Sequence, residues 1–266
     1  MLTPFTAAPG IDVLPTVARL PGLGQLVVNA FVLHGEEPVL VDAGVVAERD
    51  DFVDALRSVI DPADLRWLWL THTDFDHIGA IAVLLAENPH LRVLTSFGGV
   101  GIMGLFNPLP MDRVHLINPG ETLVLPDRTL TAVRPPAFDN PITVGFHDDR
   151  TDTLFSSDCF GALLAEIPED AADLSEAELH AGQVLWSTID SSWLHKADPA
   201  ILARDLDGIR AIEPSLVCSS HLPPAPGRLL DLFLGSVAAV PTADPFVGPD
   251  QAALEQMLAA MAPVSA

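Results

Sequence analysis

Thr71-His72-Thr73-Asp74-Phe75-Asp76-His77-Ile78-Gly79-Ala80 places four metal-capable side chains, His72, Asp74, Asp76 and His77, within six positions. Strand formers precede it, Leu65 to Leu70 (LRWLWL), and Ile81, Val83, Leu84 and Leu85 follow at helical spacing. The cluster therefore falls on a strand-to-helix turn, where an α/β sheet presents its chemistry at the carboxyl ends of its strands. Such a turn can point His72 and Asp74 one way and Asp76 and His77 another, which reads as two ligand groups for two metal ions. A lone Asp-x-Asp is ordinarily a solvated loop. Four ligand types between two apolar segments leave little room for that reading.

Working outward, Pro38 to Val41 reads as a short strand ending in Val41-Asp42-Ala43-Gly44, a carboxylate on a tight turn. Val13 to Leu20 and Gln25 to Leu33 read as earlier strands. Asp51 to Ile60 has the periodicity of an amphipathic helix. After the cluster a helix runs to about Glu87, Asn88-Pro89 stops it, Leu91 to Thr95 is a strand, and Ser96 to Phe106 is a short glycine-rich helix. From Arg113 the pattern changes to short strands separated by turns: Val114 to Ile117, Glu121 to Leu125, Thr129 to Arg134, Ile142 to His147 and Thr153 to Ser156. These predict a second sheet. Ser175 to Leu194 and Pro199 to Ile212 are helical, Ser215 to Cys218 is a last strand leading to His221, and Arg228 to Val240 and Gln251 to Met261 close the chain as helices. No repeat or linker divides residues 1–266, so one α/β (α+β) domain is expected, a four-layer αββα sandwich with helices outside two packed sheets.

Composition bounds the partners. The chain has 266 residues, 49% of them hydrophobic, and a net charge of −23. That charge excludes general nucleic-acid affinity, which needs basic stripes, and disfavours anionic membrane surfaces. Met1 to Gly10 carries no positive charge and no long apolar run, so no signal peptide is expected. No stretch has the length of a membrane span, and two cysteines, Cys159 and Cys218, make no disulfide scaffold. A cytoplasmic protein is the expectation.

Taken together, Val41-Asp42-Ala43-Gly44, His72-x-Asp74-x-Asp76-His77, Phe155-Ser156-Ser157-Asp158 and a His221 after a strand resemble the metallo-β-lactamase fold superfamily, over nearly the whole chain. Most hydrolases of that superfamily carry His-x-His-x-Asp-His. The carboxylate of Asp74 at the second His is similar to the lactamase-like diiron module of flavodiiron proteins and oxygen-binding diiron proteins, which have Glu there. The resemblance implies that Asp158 bridges two metals, that metal 1 takes His72, Asp74 and the residue matching a further His, and that metal 2 takes Asp76, His77 and His221. The matching position is Asp139, a departure: either Asp139 replaces the imidazole or metal 1 is one ligand short, with Asn140 the weaker substitute. Asp42 is expected to orient a ligand imidazole. Asp158 and Asp76 would stand closest to the chemistry.

Four carboxylates around two divalent ions bring the charge near neutrality. Hard oxygen ligands suit iron or manganese better than zinc, although zinc accepts Asp and His as well. A neutralised pair lowers the pKa of bound water less. The leading expectation is thus a diiron redox protein that binds or reduces dioxygen or nitric oxide. No flavin is expected within the chain, so either an external electron-transfer partner is needed or the protein only senses its ligand, and a homodimer is expected by analogy. The alternative is a hydrolase of an ester, thioester, lactone or phosphodiester using a metal-bridging hydroxide; a binding module with a decayed site is a third reading. Cys159 and Cys218 read as buried small residues beside the site rather than a redox pair. His180 and His195 are candidates to overhang the pocket, while His34, His90, His115 and His147 read as packed, edge or surface residues.

Overall fold

In the computed structural model, which describes residues 1–261, the chain forms two mixed sheets with helices on both outer faces. The first sheet holds β1 (Phe5–Ala8), β2 (Ile11–Leu20), β3 (Gly24–Leu33), β4 (Val39–Val41), β5 (Trp67–Trp69), β6 (Arg92–Thr95) and β7 (Val114–Leu116) in sequential order. β1 to β4 pair antiparallel, and β4 to β7 pair parallel. The second sheet holds β8 (Thr122–Leu125), β9 (Arg128–Val133), β10 (Gly145–Asp148), β11 (Thr153–Phe155), β12 (Leu216–Cys218) and β13 (Ala225–Pro226). Its β11 and β12 run parallel with the register Phe155 to Cys218.

The period-2 alternation of the strands builds three apolar layers. Val39, Val41, Trp67 and Trp69 face inward against Phe146, Phe155 and Leu130 of the second sheet. Leu40, Leu68 and Val93 face outward against α1 (Arg49–Val59), α2 (Ile81–Glu87) and α3 (Phe97–Met103), meeting Phe52, Leu56, Leu84 and Met103. On the far side, Leu154 and Val217 pack against α4 (Glu176–Asp190), α5 (Pro199–Arg210) and α6 (Leu230–Ala239) through Leu179, Leu206 and Phe233. A last helix, α7 (Gln251–Met261), follows. Aromatic rings fasten the two sheets: Trp69 to Phe146 at 4.3 Å, Phe146 to Phe155 at 4.6 Å and Phe31 to Phe155 at 5.4 Å. Burying a ring of this size removes about 150–250 Å² from water, a gross gain of about 4–6 kcal/mol at about 25 cal/mol per Å². The indole of Trp69 donates to the Val144 carbonyl at 2.9 Å, so its polar atom is satisfied.

One expectation about the sheets is corrected. The strand at Val114 belongs to the first sheet, parallel to β6, and not to the second. The α3 crossover returns the chain beside β6, and the change of sheet comes only at Asn118-Pro119-Gly120, where Gly120 has φ +90°. β1 and the two-residue β13 had no sequence reading. Among the described residues no helix is long and apolar enough to cross a membrane.

Candidate metal centre

The loops after β4, β5, β11 and β12 meet at one end of the sandwich. Those after β4 and β5 are knitted by backbone bonds: Ala43 N–H to the His77 carbonyl at 2.7 Å, Gly79 N–H to Gly44 at 2.8 Å and Ala80 N–H to Ala43 at 2.9 Å. A Cβ on Gly79 would sit 2.5 Å from the Val45 carbonyl oxygen, so the approach requires glycine. Asp42 holds φ +59° and Ser157 φ +54°, two sparsely populated conformations flanking the same pocket.

Each buried imidazole is fixed through Nδ1 and presents Nε2. His77 Nδ1 lies 2.9 Å from Asp42 Oδ2, and Asp42 also accepts from the Thr71 amide and hydroxyl, each at 2.8 Å. His221 Nδ1 donates to the Val27 carbonyl at 2.9 Å. His72 Nδ1 faces the hydroxyls of Thr71 at 3.0 Å and Ser157 at 3.2 Å. Asp158 stands between the Nε2 atoms. Its Oδ1 is 3.3 Å from both His77 Nε2 and His221 Nε2, and its Oδ2 is 3.2 Å from His72 Nε2. Asp76 Oδ2 is 3.5 Å from the Nε2 of His77 and of His221. His72 Nε2, His77 Nε2 and Asp158 Oδ1 are buried without a hydrogen-bond partner. Burying such atoms unpaired costs about 1–3 kcal/mol each, whereas metal ions would satisfy them all. The residues present therefore fit a metal pair.

Two groups are brought together, Asp76 with His77 and His221, and His72 with Asp74 and Asp139, with Asp158 reaching into both. Asp139 thus stands with His72. Asn140 instead turns its Oδ1 to the Ile142 amide at 3.2 Å within its own turn. Asp74 and Asp139 are exposed, so the mouth opens on that side. The chain neighbours of these carboxylates are aromatic: Phe75, whose ring lies 6.3 Å from that of Phe106, and Phe138, whose ring lies 4.8 Å from that of Trp193.

Charge follows the geometry. In the metal-free site burial opposes the charge of all three imidazoles, but Asp158 holds His72 up, Asp76 and Asp158 hold His77 well up, and Asp158 holds His221 up at about 9. Burial works against the Asp158 and Asp76 charges too, and the facing histidines outweigh it, so both stay below the usual carboxylate range. Burial pushes the Asp139 carboxyl up to about 6, with His72 opposing and Asp158 and Asp74 adding to the rise. Protons occupy these imidazoles where metal would replace them.

Residues without a sequence reading also reach the site. Asp190, at the end of α4, places a carboxylate oxygen within 4.8 Å of those of Asp139 and Asp158. Burial pushes its carboxyl up to about 7, with Asp158 adding to the rise. Trp186 donates from Nε1 to the Asp158 carbonyl at 3.2 Å and lays its ring 4.8 Å from that of His221. Gln183 donates to the Phe160 carbonyl at 3.0 Å. Gln183, Trp186 and Asp190 recur at the i, i+3, i+7 spacing of one helical face, which was the available signal.

Other candidates stand elsewhere. His180 Nδ1 meets Ser236 Oγ at 3.0 Å on α6, away from the ligands. His195 joins no ligand group among the described residues. His34 pairs with Asp12 and His147 with Asp152, His115 packs on Trp67, and His90 is exposed. Cys159 and Cys218 are free, buried and in different core layers, and burial pushes both thiols up.

Comparison with known proteins places this geometry in context. The pattern of the family described as "ODP family beta lactamase" matches residues 26–204. A diflavin flavoprotein A 1 of Synechocystis sp. is 28% identical over 134 residues, covering 50% of this chain and 23% of that protein. The anaerobic nitric oxide reductase flavorubredoxin of Salmonella typhi is 28% identical over 134 residues, covering 50% and 28%. The matched stretch thus spans about a quarter of the length of the diflavin flavoproteins and of the flavorubredoxin. Among solved structures, rubredoxin oxygen:oxidoreductase of Desulfovibrio gigas superposes with a TM-score of 0.78 at 18% identity, covering 91% of this chain and 62% of that one. The metallo-β-lactamase-like sandwich is therefore the fold of this chain.

Proposed function

Because the chain belongs to the ODP family of beta lactamases, we propose that it is a dinuclear-metal redox protein that binds or reduces dioxygen or nitric oxide. The observation that carries this reading is Asp158, whose two oxygens face His72 on one side and His77 with His221 on the other. A bridging carboxylate of this kind links two ions. Metal 1 would be held by His72, Asp74 and Asp139, metal 2 by Asp76, His77 and His221, and Asp42 fixes the His77 ring. The ligands come from loops of both sheets, so the two sheets act as one unit and neither has a complete site.

Iron is the assigned metal, because oxygen donors outnumber imidazoles and the carboxylates nearly neutralise two divalent ions. Such a pair supplies the redox capacity for reducing a small diatomic ligand. The chain's own residues set the access. The apolar rings of Phe75 and Phe138, chain neighbours of Asp74 and Asp139, suit a small neutral ligand. The names of the relatives, a diflavin flavoprotein and a nitric oxide reductase flavorubredoxin, support the redox reading over hydrolysis. Reduction consumes electrons, which an external donor would deliver, and a homodimer is the proposed assembly by analogy.

Protein purified without oxygen should contain two irons per chain and change its absorption spectrum on exposure to dioxygen or nitric oxide. Two zincs in a colourless protein that turns over a generic ester or phosphodiester would replace this reading with the hydrolytic one.

A further inference from the structure

We propose that Asp190 is a ligand of metal 1, and that it makes this position selective for a hard cation such as manganese(II) or iron(II) over zinc. The inference rests on the dinuclear reading above and extends it to a residue outside the two groups described there.

Metal 2 has two imidazoles, His77 and His221, whereas metal 1 has His72 alone, because position 139 carries a carboxylate. On the metal 1 side the carboxylate oxygens of Asp139, Asp158 and Asp190 lie within 4.8 Å of one another. Oxygens bound to one ion at about 2.0–2.2 Å can be no more than about 4.4 Å apart, so a small adjustment brings all three into one shell. Among the described residues no arginine or lysine pairs with any of the three. Three such groups repel one another unless a proton or a cation stands among them.

A second observation points to a ligand independently of the acidic cluster. His72 Nε2, which shares a ligand group with Asp74 and Asp139, is buried and has no hydrogen-bond partner. Asp190 is also held in place. Ser191 Oγ donates to its Oδ2 at 2.8 Å, and the same face of α4 is pinned to the Asp158 loop by Trp186 and Gln183. The resulting donor set, Asp74, Asp139, Asp158, Asp190 and His72, is oxygen-rich, which favours manganese and iron, while nitrogen donors favour zinc.

The test titrates the metal-free full chain with manganese(II), followed by electron paramagnetic resonance and metal analysis, and then competes it with zinc(II). Wild type should bind two manganese ions per chain. Asp190→Asn should weaken one of them by about tenfold to a hundredfold and leave the other within about twofold, with an unchanged near-ultraviolet circular dichroism spectrum. Asp190→His should keep both ions but shift one site towards zinc by about tenfold or more, a change that a purely structural Asp190 would not produce. This variant also carries the test should the asparagine variant not fold. A wild type that takes up no pair of ions overturns the dinuclear reading itself. A wild type that binds two, with Asp190→Asn identical to it or Asp190→His unmoved in preference, overturns the role of Asp190 alone.

Discussion

Asp42 Oδ2 lies 2.9 Å from His77 Nδ1, on the side of the ring opposite the Nε2 that faces Asp158. The same carboxylate takes the Thr71 amide and hydroxyl, so one buried residue sets both the ring and the start of the ligand turn. Asp42→Ala would orphan three buried donors. Destabilisation of about 2–4 kcal/mol is expected from about 1–3 kcal/mol per unpaired buried group with partial rescue by water, with metal affinity falling about tenfold to a hundredfold. Denaturant melts and a metal titration check both. Asn at 42 should be milder, since it tolerates the φ of +59°. Unchanged affinity in Asp42→Ala would remove the orienting role.

The ligand assignments separate by stoichiometry. Asp158→Ala should lose both metals, because its two oxygens serve both groups. Asp139→Ala should lose or weaken only metal 1, and Asp139→His should retain it. Metal analysis after dialysis gives two, one or no ions per chain. A full pair in Asp158→Ala would show that the carboxylate does not bridge.

Metal-dependent stabilisation should grow with pH. In the metal-free chain burial disfavours the His221 charge, yet Asp158 and Asp76 hold it up at about 9. This folded value lies above the unfolded value of about 6.5. Its proton therefore stabilises the metal-free fold fully below about pH 6.5, and the contribution is lost as pH rises through about 9. Metal on Nε2 displaces that proton. The gap in melting temperature between loaded and metal-free protein should widen from about pH 6.5 to 9. Scanning calorimetry at fixed ionic strength would expose the opposite result, a flat or narrowing gap.

Gly79→Ala should destabilise the fold by about 1–3 kcal/mol, as overpacking does, because the added Cβ would meet the Val45 carbonyl at 2.5 Å. The knitted loops would part, and metal affinity should fall with stability. Parallel melts of the metal-free and loaded variant separate the two effects. Wild-type stability would mean that the two loops can spread without cost.

Cys159→Ala and Cys218→Ala, alone or together, should keep the full metal content and lose only packing energy, about 1 kcal/mol per site as for a small buried deletion. Each thiol is buried in a separate layer. Metal loss in the double variant, with folding intact, would reopen a role for sulfur.

How much was legible follows from the range of each signal. The turn at His72 to His77 announced itself because its ligand types are adjacent and its flanks periodic. The alternation of Val39-Leu40-Val41 and Trp67-Leu68-Trp69 likewise encodes two buried faces, and so the layers. The family resemblance supplied Asp158 and His221, whose separation along the chain gave no reason of its own to meet. The strand at Val114 was assigned to the wrong sheet because local pattern marks a strand but not its neighbour; pairing depends on the α3 crossover. Asp190 had no sequence reading, because only the packing of α4 against the Asp158 loop brings its carboxylate to the site.

By itself, the sequence determined most of the elements, the alternating faces and the presence of imidazoles and carboxylates in quantity, since these depend on contacts a few residues apart. Only the tertiary structure decided which carboxylates share a pocket, which nitrogen each histidine presents and how the Asp139 departure is surrounded. These depend on packing two sheets and a helix to within ångströms, and no local periodicity carries that distance.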